Sequence, residues 1–203
     1  MRDCIVQLDN RIRDAVMYES GRPPLMTPEG TARQQAEPLR SYSDADFAGD
    51  LTKRSTSGTV TFLNCGPVMW SSRLQKLTAL SSTESEIYAA TEAIKDAAYL
   101  RNHLFELGVR PEVAVPIHED NHACITMGLN HLKTYSKARH YVTRLQYIQE
   151  RIHDGTVKMI PTPTEEQIAD CLTKPLGVAK FQQFRDILVH DLKQIHINSN
   201  HLI

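Results

Sequence analysis

The amino-acid sequence predicts an α/β fold, and two features of its patterning indicate this class. Three short segments with the two-residue alternation of β-strands come first, separated by polar turns, between residues 39 and 70. Helical segments then alternate with two more strand segments as far as residue 160. The first three strands predict an antiparallel meander, and the alternation that follows is typical of α/β proteins.

The first strand, in the stretch YSDADFAGD (residues 42–50), carries two acids on one side. Residues two apart in a strand share a face, so Tyr42, Asp44 and Asp46 are expected to point the same way. A carboxylate at a position where a core residue would usually lie is costly unless a cation or hydrogen bonds compensate it. The stretch therefore indicates a metal ligand, and the solvated face of an edge strand is the alternative.

The second and third strands are predicted at residues 59–63 and 68–70, on either side of a turn at residues 64–67. Both are short and closely connected, which is why they are expected to pair with the first strand. Trp70, in the third strand, is interpreted as a core residue rather than as a platform for stacking a base.

A long helix is predicted from Ser81 to Leu107, with Ser82 or Thr83 as its N-cap and Gly108 just beyond its end. A stripe of mostly small residues recurs at three- and four-residue steps and is expected to lie on the sheet. Its members are Glu86, Ala90, Ala93, Ala97, Leu100 and Leu104. Glu84 falls on the other side and is expected in solvent, so Glu86 is the candidate functional acid.

The fourth strand, at residues 113–117, leads directly into Asp120. This places Asp120 at the C-terminal end of a strand, where α/β proteins usually have their sites. A short helix is predicted over residues 122–129 and a longer one over residues 136–154, before a fifth strand at residues 156–160.

Two prolines, Pro161 and Pro163, end the fifth strand. A helix is predicted to begin at Thr164 and to carry Asp170. An amphipathic segment over residues 181–189 then precedes a polar tail.

Four acids therefore fall at the ends or edges of separate elements: Asp44, Glu86, Asp120 and Asp170. Mg²⁺ and Mn²⁺ prefer such oxygen ligands, and two ions about 4 Å apart can catalyse phosphoryl transfer. Each acid alone has an ordinary alternative, as a helix-start acid or a surface acid. The four together predict a metal centre.

At these residues the sequence resembles the ribonuclease H domain of copia-type retrotransposon polyproteins. The matching motifs are SDADFAGD (43–50), RSTSG (54–58), WSSRLQKLTALSSTESEIYAA (70–90), EDNHACI (119–125) and PTEEQIADCLTKPL (163–176). The resemblance implies a ribonuclease H-like fold, with a five-stranded mixed sheet of order 3-2-1-4-5 flanked by helices. It also implies two Mg²⁺ or Mn²⁺ ions held by the four acids, and cleavage of the RNA strand of RNA–DNA hybrids. Glu119 and the run from Arg139 to Thr143 depart from the family's usual pattern.

Two groups of polar residues are candidates for contacting such a hybrid. Hydroxyl and amide groups near the start of the long helix suit the sugars of a minor groove: Gln75, Ser81, Ser82 and Thr83. A cationic helix face suits phosphates: Lys137, His140, Arg144 and Arg151. A solvated cationic face is the alternative reading of the second group.

Three parts of the chain are distinguished by composition. Residues 1–38 are predicted to be a leader or linker, rich in proline and resembling the end of the segment after a reverse transcriptase. Residues 39–178 are predicted to form the ribonuclease H-like domain, and residues 179–203 a C-terminal helix with a polar tail. A reverse transcriptase on the parent polyprotein is accordingly an expected partner, besides the hybrid.

The net charge of −1 excludes a strong long-range attraction to nucleic acid. The four cysteines lack the spacing of a zinc site and are expected to be thiols in a reducing, intracellular compartment. The sequence has no apolar run of membrane-spanning length, so no membrane association is expected. The alternative to a nuclease is a catalytically inactive retrotransposon remnant that binds nucleic acid or a protein partner. The intact acids favour the enzyme, whereas the unusual leader favours the remnant.

Overall fold

The computed structural model describes residues 39–64, 66–108, 113–130 and 139–189, and residues 139 and 140 through their backbone alone. The predicted leader, residues 1–38, and the polar tail beyond residue 189 lie outside these ranges and remain predictions. The five strands are β1 (Leu39–Asp46), β2 (Thr56–Leu63), β3 (Gly66–Leu74), β4 (Val115–Glu119) and β5 (Val157–Pro161). The helices are α1 (Ser82–Glu106), α2 (His122–Leu129), α3 (Arg139–His153) and α4 (Val178–Leu188).

The strands form one sheet in the order β3-β2-β1-β4-β5. β1, β2 and β3 are antiparallel neighbours, β4 is parallel to β1, and β5 is parallel to β4. The mixed sheet and its order therefore confirm the predicted fold class. The change from antiparallel to parallel pairing at β1 follows from the long helix between β3 and β4, which returns the chain to the other side of β1.

One face of the sheet is covered by α1 and α3. The predicted stripe of α1 is buried, with Ala90, Ala93 and Ala97 fully inaccessible to solvent. Small side chains let the helix lie close to the strands, and Leu145 and Ile148 of α3 extend the same core. Gly108, just beyond the end of α1, has a φ of 83°, a left-handed conformation that favours glycine after a helix.

The opposite face is covered by the last part of the chain. Phe184 of α4 is fully buried and packs with Val60, Phe62 and Ile168. α4 is thus packed onto the sheet through its one large buried side chain.

The helix predicted from Thr164 is in fact two short 3₁₀ helices, Thr164–Glu166 and Ile168–Leu172. Gln167 lies between them with an extended backbone. Its buried side chain donates from Nε2 to the His118 carbonyl at 3.3 Å and accepts at Oε1 from the Ala169 N–H at 3.4 Å. These bonds tie the chain to β4 and start a new turn, which interrupts a continuous helix.

The prediction that Trp70 is a core residue is wrong, because 61% of its side chain is exposed. Trp70 lies on β3, which is an edge strand in the described sheet. Its side chain lines an open groove of about 670 Å³ between β3 and α1. Among the described helices, none has the length and hydropathy to cross a membrane.

Candidate metal centre

Two parallel strands bring Asp44 and Asp120 to the same edge of the sheet. Tyr42 of β1 is paired with His118 of β4. The residues two positions further along each strand therefore lie at the same level. Those residues are Asp44, near the end of β1, and Asp120, which directly follows β4.

The start of α1 brings a third carboxylate to this edge. The Ser81 hydroxyl accepts a hydrogen bond from the Glu84 N–H at 3.1 Å and thereby caps the helix. Glu86 lies just after the first turn and is 6% exposed. Carboxylate oxygens of Asp44, Glu86 and Asp120 all lie within 4.8 Å of one another. These three residues are called the acidic triple below.

Burial makes the negative charges of Asp44 and Glu86 unfavourable. Loss of solvent raises the pKa of Asp44 to about 6, although a hydrogen bond from Thr173 and the charge of Lys174 act to lower it. Burial also raises the pKa of Glu86 well above its usual value, and the acids Glu119 and Asp44 add to this effect. The fully charged triple therefore needs a cation to stabilise it.

The fourth predicted acid, Asp170, lies beside Asp44 but is not a member of the triple. Its Oδ1 is 2.7 Å from Lys174 Nζ, and its Oδ2 is 2.6 Å from Lys180 Nζ. Lys174 Nζ also lies 3.7 Å from Asp44 Oδ2. Burial acts to raise the pKa of Asp170, but the hydrogen bonds and charges of the two lysines outweigh it and hold the pKa below its usual value.

A glycine in β2 allows Asp170 to come this close to the sheet. Gly58 is paired with Asp44 across the β1–β2 ladder. A Cβ at Gly58 would lie 2.7 Å from Thr173 Cγ2 and 2.8 Å from the Ala169 carbonyl oxygen. The second 3₁₀ helix therefore packs directly on the backbone of β2, which gives a physical reason for the glycine in the RSTSG motif.

A further buried carboxylate, Glu119, lies next to the triple. Ser43 Oγ donates to its Oε2 at 2.8 Å, and the Asn121 N–H donates to its Oε1 at 3.1 Å. Burial raises the pKa of Glu119 to about 8, against the effect of these two hydrogen bonds. The sequence identifies Glu119 as a charge beside the site, but strand alternation gives no sign of its bond to Ser43.

The prediction that Glu84 points to solvent is wrong, because this residue is 1% exposed. Its Oε2 accepts from the Leu80 N–H at 2.7 Å, while its own N–H donates to Ser81. This reciprocal arrangement resembles a capping box, for which S-x-x-E at residues 81–84 is the sequence signature. Helical periodicity does not predict the burial of Glu84, because polar groups at the start of a helix are buried by capping rather than by the apolar stripe.

The candidate contacts near the start of α1 lie in different environments. Gln75 is 8% exposed, and its Nε2 donates to Ser57 Oγ at 2.8 Å and to the Ser85 carbonyl at 3.0 Å. It therefore connects the end of β3 to α1, and its contact with a substrate remains a prediction. Ser81 and Ser82 are exposed, and Thr83 is half-buried.

The cationic helix face is only partly described. Arg144 Nη1 lies 3.0 Å from Glu92 Oε1, and its guanidinium carbon lies 4.4 Å from the centre of the Tyr88 ring. Its charge is thus already paired within the domain. Lys137 and the side chain of His140 lie outside the described part of the chain, so their contacts with phosphate remain predictions.

Three residues of the centre were missed from the sequence: Thr173, Lys174 and Lys180. The Thr173 hydroxyl donates to Asp44 Oδ2, and Lys174 and Lys180 pair with Asp170. The four-residue spacing from Asp170 to Lys174 would have indicated an ion pair on one turn. Lys180 lies on another helix, and sequence spacing gives no such indication.

The donor set fits a divalent ion such as Mg²⁺ or Mn²⁺. All three members of the triple offer hard carboxylate oxygens, which these ions prefer. Within the described residues, Glu86 Oε2 is buried and has no hydrogen-bond partner. A buried carboxylate oxygen without a partner is costly, and coordination of a cation would compensate it.

Comparisons with known proteins identify relatives of this chain, although no family model matches it. One curated relative is the retrovirus-related Pol polyprotein from transposon TNT 1-94 of Nicotiana tabacum, 34% identical over 151 residues. Another, from transposon RE1 of Arabidopsis thaliana, is 33% identical over 147 residues. These matches cover 74% and 72% of this chain but only 11% and 10% of the polyproteins, so the chain spans about a tenth of their length.

Among solved structures, LC11-RNase H1, isolated from compost by a metagenomic approach, has a similar fold. The TM-score is 0.52, with 17% identity, and the match covers 68% of this chain and 93% of that chain. The family resemblance predicted from the motifs is thus confirmed by the relatives and by the fold. The chain is a homologue of the retrovirus-related Pol polyproteins of transposons, and its described part has the ribonuclease H fold.

Proposed function

We propose that this chain is a metal-dependent endonuclease that cleaves the RNA strand of RNA–DNA hybrids. The observation that carries this proposal is the convergence of Asp44, Glu86 and Asp120 from three separate elements to within 4.8 Å. The buried acids Asp44 and Glu86 and the partly exposed Asp120 repel one another at this separation, so their arrangement is explained by the cations that they would hold. The ribonuclease H fold supports the same conclusion.

The acids have distinct parts in this function. Asp44, Glu86 and Asp120 bind the cations, and Asp170 contributes beside Asp44. When bound, two such Mg²⁺ or Mn²⁺ ions activate water for attack on phosphorus and stabilise the leaving oxygen. The protein supplies preorganisation, because β1, β4 and α1 fix the carboxylates together and Thr164 Oγ1 orients Asp120 by donating to its Oδ2 at 2.9 Å.

The proposed substrate is a hybrid because the motifs resemble those of copia-type ribonuclease H domains. The exposed hydroxyl of Ser82 and that of Thr83 lie at the same end of α1 as Glu86. Hydroxyl groups suit the 2′-hydroxyls of an RNA strand and can distinguish it from DNA. A net charge of −1 predicts that the affinity depends on such short-range contacts.

We extend the proposal to the setting of the enzyme. A reverse transcriptase on a parent polyprotein is the proposed partner, since the homologues are Pol polyproteins many times longer than this chain. An intracellular, reducing compartment is proposed because Cys124 and Cys171 are free thiols, of which Cys124 is buried.

The test is cleavage of a hybrid that carries a label on its RNA strand. The purified chain is incubated with this hybrid, with an RNA duplex and with a DNA duplex of the same sequence, in Mg²⁺, in Mn²⁺ or in a chelator. We expect internal cuts in the RNA strand of the hybrid alone, and only when a metal ion is present. A folded protein that binds the hybrid without cutting it would contradict the proposal and favour the inactive binding module.

A further inference from the structure

The two sides of the acidic centre differ in how their charge is compensated. On one side, Glu86 Oε2 is buried without a hydrogen-bond partner in the described structure. On the other side, each oxygen of Asp170 is close to a lysine: Oδ1 lies 2.7 Å from Lys174 in an ion pair without hydrogen-bond geometry, and Oδ2 accepts from Lys180 at 2.6 Å. Asp44 belongs to both sides, because its carboxylate is part of the triple and also faces Asp170.

Lys174 occupies the space between Asp44 and Asp170. Its Nζ lies 2.7 Å from Asp170 Oδ1 and 3.7 Å from Asp44 Oδ2. Both aspartates are almost fully buried, at 2% and 1% exposure. An ammonium group between two buried carboxylates compensates their negative charge, as a metal cation would.

Lys180 also pairs with Asp170, but its contacts differ from those of Lys174. It contacts the other oxygen of Asp170, Oδ2, and donates to the Thr164 carbonyl at 2.7 Å. No ion pair joins it to Asp44 within the described residues, where Asp44 pairs with Lys174. Both lysines therefore neutralise Asp170, but only Lys174 lies between the two acids.

We propose that Lys174 is an internal competitor for a metal ion at the Asp44–Asp170 side of the centre. A metal ion coordinated by both aspartates would use the same oxygens that Lys174 contacts. The ion and the ammonium group of Lys174 would also repel each other at close range. The side chain of Lys174 is 37% exposed, so it has a path to move into solvent. Binding at this side therefore requires Lys174 to leave, whereas binding at the acidic triple does not.

This inference rests on the proposed metal-dependent function, and it predicts unequal sites. The first ion binds the triple, where the ion pairs of the described chain give a lysine contact to Asp44 alone, from Lys174 at 3.7 Å. The second ion binds more weakly, because the displacement of Lys174 opposes it. Lys174 is thus a positioning residue that keeps Asp44 and Asp170 together until a second cation replaces it.

The experiment counts ions bound to the protein without nucleic acid. Mn²⁺ is titrated into the whole chain, and free Mn²⁺ is measured by electron paramagnetic resonance. We expect wild type to bind the second ion at least about tenfold more weakly than the first, a difference of about 1.4 kcal/mol. Lys174→Met has nearly the same length without the charge, and it should tighten the second ion about tenfold and change the first less than about threefold.

Two matched variants separate displacement from a general loss of positive charge. Lys174→Arg keeps the charge and should keep the second ion weak. Lys180→Met removes a charge from Asp170 but not from the space beside Asp44, and should tighten the second ion less than about threefold. Thermal unfolding in a chelator and in Mn²⁺ provides a second readout, in which the ion should restore the stability of Lys174→Met more than that of Lys180→Met.

The outcomes distinguish this inference from the proposed function. If wild type binds two ions equally and Lys174→Met changes neither, the role of Lys174 is wrong and the metal centre stands. If Lys180→Met tightens the second ion as much as Lys174→Met, the effect is one of overall charge and the inference is overturned. If no variant binds any Mn²⁺, the proposed metal-dependent function fails together with the inference.

Discussion

The two faces of the sheet hold the acidic centre by different means. On one face, α1 is a 25-residue helix whose buried stripe fixes Glu86 next to β1. On the other, two short 3₁₀ helices and α4 cover the sheet with a much smaller core, and Asp170 reaches the centre through its packing on Gly58 and its ion pairs. One part of the centre therefore depends on regular secondary structure, and the other on tertiary contacts alone.

The largest expected effect is a loss of cleavage when Asp120 is substituted, on the side of the centre that α1 and β4 hold. Asp120→Asn keeps the shape of the side chain and its hydrogen bond to Thr164, but removes a charge from the proposed cation site. We expect hybrid cleavage to fall at least about a thousandfold, since loss of a metal ligand costs several kcal/mol of transition-state stabilisation. Cleavage rates and circular dichroism in Mg²⁺ provide the measurement.

The matched control for this substitution is Asp186→Asn. Asp186 lies on α4, and its described contacts are with the adjacent Arg185. Cleavage should be unchanged in this variant. A folded Asp120→Asn protein that cuts at the wild-type rate would remove Asp120 from the centre. Without metal, Asp120→Asn should be at least as stable as wild type, because one member of a repelling cluster is gone.

The second prediction is that the metal-free protein becomes less stable as the pH rises from about 5 to about 8. The folded pKa values of Asp44, about 6, and Glu119, about 8, exceed their usual values of 3.8 and 4.5. The folded state therefore binds more protons than the unfolded state across this range, so the free energy of unfolding falls as pH rises. For Asp44 alone the loss is on the order of 1–3 kcal/mol.

Asp170 contributes to the pH dependence of stability in the opposite direction from Asp44 and Glu119. This difference distinguishes the two sides of the acidic centre. Its folded pKa is lowered, so its stabilising contribution is present above its usual pKa of 3.8 and is lost only as the pH falls below that value. The contribution of Asp170 to stability is therefore constant between pH 5 and pH 8.

Urea unfolding in a chelator at pH 5 and at pH 8 measures how steeply the free energy of unfolding changes with pH, and Glu119→Gln should make this change smaller. A metal-free protein that is equally stable at both values would contradict the prediction, whereas Mg²⁺ should restore stability most at the higher pH.

The third prediction tests the side that depends on tertiary packing. Gly58→Ala places a Cβ 2.7 Å from Thr173 Cγ2 and 2.8 Å from the Ala169 carbonyl, so the second 3₁₀ helix must move. We expect a loss of about 1–3 kcal/mol in the free energy of unfolding, as for other overpacked sites. Cleavage should fall about tenfold or more, because Asp170 moves with the helix.

Gly177→Ala is the control, since a Cβ there meets no atom within 4 Å and the φ of −59° suits alanine. Its stability should stay within about 0.5 kcal/mol of wild type. If Gly58→Ala matched Gly177→Ala in both stability and cleavage, close packing on β2 would not position Asp170.

The same contrast explains how much of the molecule could be predicted from the sequence. The strands, the stripe of α1 and the position of Asp120 follow from local periodicity and turn residues, and the structure agrees with them. The order of the strands came from the family resemblance and is confirmed, whereas the hybrid substrate came from the same resemblance and remains a proposal. Local patterns have no information about which carboxylate will face which lysine, so the ion pairs of Asp170 were missed.

Two errors have a common physical origin. Glu84 and Trp70 were assigned by residue type and periodicity, but the burial of each depends on a boundary of the fold. Glu84 is buried because it caps the start of α1, and Trp70 is exposed because β3 is an edge strand of the described sheet. Periodicity describes the middle of an element well and describes its ends and edges poorly.

The smallest expected effect concerns Ser81, which has two competing roles. As N-cap, its hydroxyl accepts from the Glu84 N–H at 3.1 Å. The sequence also makes it a candidate contact to RNA. Ser81→Ala should lower the free energy of unfolding by about 1 kcal/mol, as loss of an N-cap usually does. Urea unfolding measures this cost, and anisotropy of a labelled hybrid measures the affinity.

Ser82→Ala is the matched control, because Ser82 is the first residue of α1 and is exposed. It should leave stability within about 0.5 kcal/mol of wild type. If Ser82 contacts the 2′-hydroxyls of the RNA strand, the variant should weaken binding of the hybrid and not of the DNA duplex. Equal losses of stability in the two variants would mean that the cap contributes no more than any exposed serine, and that α1 is positioned by its buried stripe alone.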